Sequence, residues 1–296
     1  RTGAYLSGLN VSEKWIHVGD SEGYLFTLDK TTGETVASLL VGPDQDVITE
    51  PTFANGRLYV AARLSGGRGV VHSFEVKENG SLADKKSTSD DVAVDVGSIR
   101  TSLVHDGVNT LYFTSRDGNF YAMDMTDLTL KTFRSVQIDS DGSQAASSAA
   151  IGKDGTIYVA SYDTCFPTSS EGGGTTANAC LYAINPNGLE VKWTSPVGTR
   201  AWSSSPAVGA DGTIYIGNQD GLLLAIDPDG DQLWTFEAGY QVNGSPTISG
   251  GTLFVGSDGG SMYALRTMAT IGGLADSPWP KLRADKANSG VAGLTN

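Results

Sequence analysis

Apolar and polar positions along the chain fall into a phrase that recurs every roughly 40 to 57 residues. It is clearest from Ser204 to Gly239, SSPAVGADGTIYIGNQDGLLLAIDPDGDQLWTFEAG. Two short β-branched and aromatic runs, Thr213 to Ile216 and Leu222 to Ile226, are separated by a polar, glycine-bearing turn and followed by a third run ending in Trp234 to Phe236. Each phrase predicts a small antiparallel sheet. One four-stranded sheet cannot bury both of its faces, so the repetition predicts sheets stacked on one another as blades of a β-propeller.

Aligned phrases give columns. The second strands carry Trp15 to Val18, Arg57 to Val60, Thr110 to Phe113, Thr156 to Val159, Thr213 to Ile216 and Thr252 to Val255, which makes six units. The third strands carry Leu25 to Asp29, Val71 to Glu75, Phe120 to Asp124, Leu181 to Asn185, Leu223 to Asp227 and Met262 to Arg266. Apolar residues fill most positions instead of alternating with polar ones, as in strands covered on both faces. The small column Thr27, Ser73, Ala122, Ala183, Ala225, Ala264 marks where neighbouring blades approach most closely. The predicted class is all-β, a propeller of four-stranded antiparallel blades, with six blades at 1–42, 43–97, 98–139, 140–198, 199–239 and 240–270 and a closing segment at 271–296 packed on them. The sixth unit lacks a Trp-bearing fourth strand after Arg266, so closure falls to the terminal segment or to residues near Arg1, and a blade upstream would make seven.

Third strands end mostly in Asp, Glu or Asn followed by turn formers such as Pro186-Asn187-Gly188 and Pro228-Asp229-Gly230, which predicts a side-chain oxygen capping its own turn. Asp227, Asp229 and Asp231 alternate as metal ligands would. The glycine falls one place too early for a calcium loop, however, and no bidentate acid follows at the required distance. No metal is expected.

Charge narrows the partners. The net charge of −13, with few and scattered Lys and Arg, argues against nucleic acid, which needs clustered cations, and weakly against anionic lipid. No apolar stretch is long enough for a membrane helix. Both cysteines, Cys165 and Cys180, bound one Gly/Ser/Thr-rich insertion in the fourth unit. A bond between them removes much of that loop's entropy, which predicts a disulfide and an oxidising, extracytoplasmic compartment. The segment from Ala83 to Val96 is charged and polar, which suits the outermost strand of the second blade and the loop after it. The chain begins at Arg1 without a leader, which suggests a processed protein or a domain of a longer one.

The series Ser204-Ser205-Pro206, Asp211-Gly212-Thr213-Ile214-Tyr215, Asp220-Gly221, Leu224-Ala225-Ile226-Asp227 and Leu233-Trp234 resembles the repeat of pyrroloquinoline-quinone-type β-propellers, over essentially residues 1–270. The tail from Ser277 to Arg283 and on through Asn288 to Gly290 is similar to a segment attached to bacterial members of that family. The resemblance implies fold more than function, because the family holds quinone-dependent dehydrogenases and also non-catalytic binding proteins of envelope assembly. Its dehydrogenases carry a disulfide between adjacent cysteines over the cofactor. Cys165 and Cys180 are far apart in sequence, so no quinone cofactor is expected.

Histidine is the commonest acid–base residue, and there are three. His17 stands where other units place Tyr59, Tyr112, Tyr158, Tyr215 and Phe254, and His72 where they place Phe26, Tyr121, Tyr182, Leu224 and Tyr263; both read as packing rings. His105, in the turn Val104-His105-Asp106-Gly107, is expected to be solvated. A polysaccharide lyase or glycosidase on a propeller stays open as an alternative. The reading adopted is a non-catalytic extracytoplasmic module, bacterial and tethered to other domains, recognising a protein or carbohydrate through loops that enter each first strand. Glu50, Arg100, Arg200, Trp202 and Asn243 are the least generic residues there. The alternative is that Trp202 packs on a neighbouring blade and both arginines are solvated.

Overall fold

The computed structural model describes residues 4–47, 49–88, 96–129, 136–138, 147–162, 165, 179–201, 203–266 and 273–282. They form six antiparallel sheets in chain order. Sheet I contains β1 (Leu6–Val11), β2 (Trp15–Asp20), β3 (Tyr24–Asp29) and β4 (Thr35–Leu40). Sheet II has five strands: β5 (Gln45–Asp46), β6 (Thr52–Ala54), β7 (Arg57–Leu64), β8 (Gly69–Val76) and β9 (Leu82–Ser87). Sheet III is β10 (Val104–His105), β11 (Thr110–Thr114), β12 (Asn119–Asp124) and β13 (Val136–Gln137). Sheet IV is β14 (Ala150–Ile151), β15 (Ile157–Ala160), β16 (Cys180–Ile184) and β17 (Val191–Pro196). Sheet V is β18 (Ala207–Val208), β19 (Ile214–Gly217), β20 (Leu222–Ile226) and β21 (Gln232–Glu237). Sheet VI shows three strands among the described residues, β22 (Thr247–Ser249), β23 (Thr252–Ser257) and β24 (Ser261–Arg266).

Local chemistry explains the hairpins. At the ends of the third strands β3, β12 and β16 an acid or amide caps the turn it opens: Asp29 Oδ1 accepts the N–H of Thr31 and Thr32, Asp124 Oδ1 that of Thr126, and Asn185 Oδ1 that of Asn187. Asp227 Oδ1 accepts the N–H of Asp229 and Asp231, so the alternating acids form a turn. The polar stretch after Ala83 does supply the outer strand β9, while residues 89–95 lie outside the described residues.

The core is divided among the interfaces between consecutive sheets. Tyr59 of sheet II packs with Leu111 and Phe113 of sheet III, Tyr112 with Ile157 and Val159 of sheet IV, Tyr158 with Ile214 and Ile216 of sheet V, and Tyr215 with Leu253 and Val255 of sheet VI. Leu25 and Val41 of sheet I meet Leu58 and Val60 of sheet II. The small column is buried where a following sheet packs on it, with Ala183 and Ala225 at 0% exposure. Between sheets IV and V the outer strand adds a latch: Trp193 lies against Tyr158 and donates its indole N–H to the Pro228 carbonyl at 2.9 Å.

The two end sheets differ. Phe254 is 36% exposed, although its counterparts Tyr59, Tyr112, Tyr158 and Tyr215 are at most 3% exposed, and Ala264 is exposed. On sheet I, Leu6 and Leu9 are exposed. Of the terminal segment, residues 273–282 are described: Val208 exchanges hydrogen bonds with Pro280 and Ala275, and the Ile151 N–H donates to Trp279. Residues 273–282 thus bind the first strands of sheets IV and V.

Candidate functional site at the entry end of the sheets

Each chain passage into a first strand lies at the end of its sheet opposite the turn between first and second strands. First strands here are as short as two residues, so they leave backbone N–H groups that no ladder satisfies. Hydroxyl side chains take over. Ser7, Thr101, Ser147 and Ser204 accept the N–H of Gly19, Thr114, Ala160 and Gly217 in their own second strands at 2.9 to 3.2 Å. The next residue reaches across to the following sheet: Ser102 N–H donates to Ser148 Oγ at 3.0 Å, Ser148 N–H to Ser205 Oγ at 3.2 Å, and Ser205 N–H to Ser245 Oγ at 2.9 Å. The Glu50 carboxylate accepts the Ser102 hydroxyl, which extends this line to sheet II. The result is a belt of buried hydroxyls joining four sheet junctions.

Of the candidate residues, Glu50 and Arg100 lie at the junction of sheets II and III, two residues apart through Ser102. Arg200 is exposed, with its guanidinium 5.6 Å from the Tyr162 ring centre. Asn243 donates to Asp258 at 2.7 Å and to Gln241 at 3.3 Å. Trp202 lies outside the described residues. These four described residues are thus spread over three junctions, with Glu50 and Arg100 sharing one of them.

Pattern reading missed what surrounds Arg100. Arg63, at the end of β7, pairs with Gly69 across the hairpin and binds Asp46 through its guanidinium. The segment Gly97 to Ile99 bridges from Arg68 to Ser115, and the Arg116 N–H donates to Ser98 at 3.0 Å. Arg63, Arg100 and Arg116 therefore come from three adjacent segments of two sheets. Partial burial, followed by the positive charges of Arg116 and Arg63, holds the Arg100 pKa below its ordinary value, against a smaller opposing effect of Asp46. No spacing rule links residues 63, 100 and 116, because their proximity exists only once the sheets stack.

Residues 273–282 lie at the opposite end, against the first strands of sheets IV and V. His105 is 5% exposed and its ring meets Trp279 edge-on at 5.2 Å, so the expectation of a solvated His105 is overturned. The covering residue lies far along the chain, and no local pattern announces it. His105 Nδ1 accepts the Gly107 N–H at 3.0 Å, while His105 Nε2 and Trp279 Nε1 are buried without a hydrogen-bond partner among the described residues. His17 is bonded to Thr27 Oγ1 at 3.1 Å, and His72 is held between Ser87 Oγ and Gln45 Oε1, both at 2.7 Å. Both are packing residues, as expected. Burial pushes His17 and His105 down to about 4; burial and then the charge of Lys85 push His72 down to about 3. A cleft of about 270 Å³ beside the terminal segment is lined by Asp106, Tyr112, Lys153, Asn187 and Pro278 among others. Asp106 is occupied there as a turn cap, accepting the N–H of Val108, Asn109 and Thr110. Cys165 and Cys180 form the expected disulfide, although most of the loop it closes lies outside the described residues.

Comparison with known proteins agrees with this architecture. Residues 177–270 match the family model described as outer membrane protein assembly factor BamB. No curated protein sequence matches the chain. Among solved structures, BamB from Moraxella catarrhalis superposes with a TM-score of 0.60 at 15% identity, covering 90% of this chain and 74% of that one. A europium-containing methanol dehydrogenase superposes with a TM-score of 0.50 at 14% identity, covering 84% and 72%. At such identities the likeness is one of fold. The stacked four-stranded sheets and these neighbours together show the β-propeller fold, and residues 177–270 of it are similar to the assembly-factor family model.

Proposed function

We propose that the chain is a non-catalytic binding propeller that acts outside the cytoplasm and docks a partner protein at the entry end of its sheets. The observation that carries this reading is the match of residues 177–270 to the family model of an assembly factor. The Cys165–Cys180 disulfide supports an oxidising compartment. The entry end supports recognition there, because rigid sheets clasped by a hydroxyl belt carry exposed Arg100 and Arg200 and the amide of Asn243. Residues 273–282 occupy the other end. Trp202, beside Arg200 in sequence, belongs to the proposed contact set together with Glu50.

The test is site-specific photo-crosslinking in the producing cells from positions 50, 100, 200, 202 and 243, compared with positions 153 and 187 at the opposite end. A discrete cross-linked protein from the first set supports the reading. Cross-links only from the second set, or turnover of a polysaccharide by the purified chain, overturn it.

A further inference from the structure

The chain carries a formal charge of −13, yet cations gather at the junction of sheets II and III. Arg63, Arg100 and Arg116 sit on three neighbouring segments at the junction of sheets II and III, joined by the bridges Arg68 to Gly97 and Ile99 to Ser115. Like charges brought together repel unless anions offset them. The acids around this cluster are largely committed. Asp46 is bound by Arg63. Asp117 accepts the Gly97 N–H at 3.0 Å, the Asn119 N–H at 3.0 Å and the Tyr121 hydroxyl at 2.7 Å. Glu50 accepts the Ser102 hydroxyl. Arg100 is exposed and makes no hydrogen bond or ion pair with the described residues, and Arg116 Nε is buried without a hydrogen-bond partner.

We propose that Arg100, Arg63 and Arg116 form a carboxylate-binding site that receives an acidic segment of the partner protein. The choice of carboxylate follows from the guanidinium, whose planar fork of N–H donors matches the two oxygens of that group. The choice of a protein segment rests on the binding function proposed above. The rest of the acidic surface repels such a segment, so it engages only where the local sign is reversed, and the site orients the partner on the ring.

The probe is a fluorescein-labelled hexaglutamate peptide, titrated by anisotropy into the full chain at low and at 150 mM salt, with labelled hexagalacturonate in parallel. The expected result is saturable peptide binding, at least fivefold weaker at 150 mM salt and at least fivefold weaker in Arg100→Gln, with Lys14→Gln unchanged. Arg100 is exposed, so its variant keeps the fold; Arg100→Gln/Arg116→Gln, checked for an unchanged melting transition, abolishes binding. Equal affinity in Arg100→Gln, or no peptide binding by the wild type, overturns the proposal. Arg100-dependent binding of hexagalacturonate without the peptide overturns it in favour of a glycan. Cross-linking of a partner to positions 200 and 243 together with failure of the peptide leaves the binding function standing and removes only this site.

Discussion

Ser205 does two things in one residue: its hydroxyl oxygen accepts the Ser148 N–H from sheet IV, while its backbone N–H donates to Ser245 Oγ beside sheet VI. Ser205→Ala leaves the buried Ser148 N–H unsatisfied and is expected to cost about 1–3 kcal/mol. Urea unfolding measures this, and an unchanged midpoint would show that the belt contributes nothing to stability. The histidines give a pH dependence at the same scale. Burial depresses their folded pKa values to about 4, 3 and 4 for His17, His72 and His105. The unfolded chain takes up protons near pH 6.5, so their contribution is complete above that pH and is lost as pH falls toward 4 and then 3. For His17 the loss by pH 4 is on the order of 2–3 kcal/mol. His17→Phe installs the ring type found in that column of other sheets and should reduce the fall in stability between pH 7 and pH 4.5. Identical slopes in variant and wild type would contradict this account.

Between whole elements, the indole of Trp193 spans from β17 to the turn that follows β20. Gly230 in that turn has φ 98°, and a Cβ there would lie 2.9 Å from the Trp193 ring. Gly33 opens the comparable turn of sheet I with φ 74° and nothing within 4 Å of a Cβ. Gly33→Ala therefore carries left-handed backbone strain alone, about 1 kcal/mol, whereas Gly230→Ala adds the displaced tryptophan and is expected to cost about 2–4 kcal/mol. Thermal melts of the pair isolate the latch, and equal losses would argue that Trp193 moves freely. The disulfide acts at this scale too. Changing Cys165 and Cys180 to serine releases a 15-residue separation and is expected to cost at most about 3 kcal/mol, because β15 and β16 already pair without it. Melting should stay cooperative, since the core is distributed over several interfaces.

At the scale of the molecule, the terminal segment ties sheets together that the repeats alone leave to pairwise packing. Trp279 is 1% exposed and contacts the core shared by sheets III and IV, while Pro280 and Ala275 bind sheet V. Trp279→Ala is expected to cost about 3–5 kcal/mol. Hydrogen exchange should show the protection loss at β10, β14 and β18 together. A loss confined to residues 273–282 would reduce the segment to a passive tail.

The strand runs, the hairpin turns, the capping acids and the disulfide were legible in the chain because each depends on neighbours within one phrase: apolar runs specify strands, and Asp227 needs only Asp229 and Asp231 to make its turn. The stacking of sheets was legible as well, since a repeated four-stranded sheet whose strands are apolar at most positions cannot bury both faces by itself. The candidate site was legible in part. Glu50 and Arg100 stand out in the chain by their place before first strands, and the Ser147-Ser148 and Ser204-Ser205 repetition is the visible trace of the hydroxyl belt. Tertiary structure alone decided the rest. It set Arg63 and Arg116 beside Arg100, laid Trp279 over His105, and left Phe254 and Ala264 of sheet VI exposed where their counterparts are buried. These relations join residues from different repeats or across most of the chain, and each is fixed by which sheet faces come to lie against one another. A one-dimensional pattern records the period of the sheets, and only their packing records which side chains meet across it.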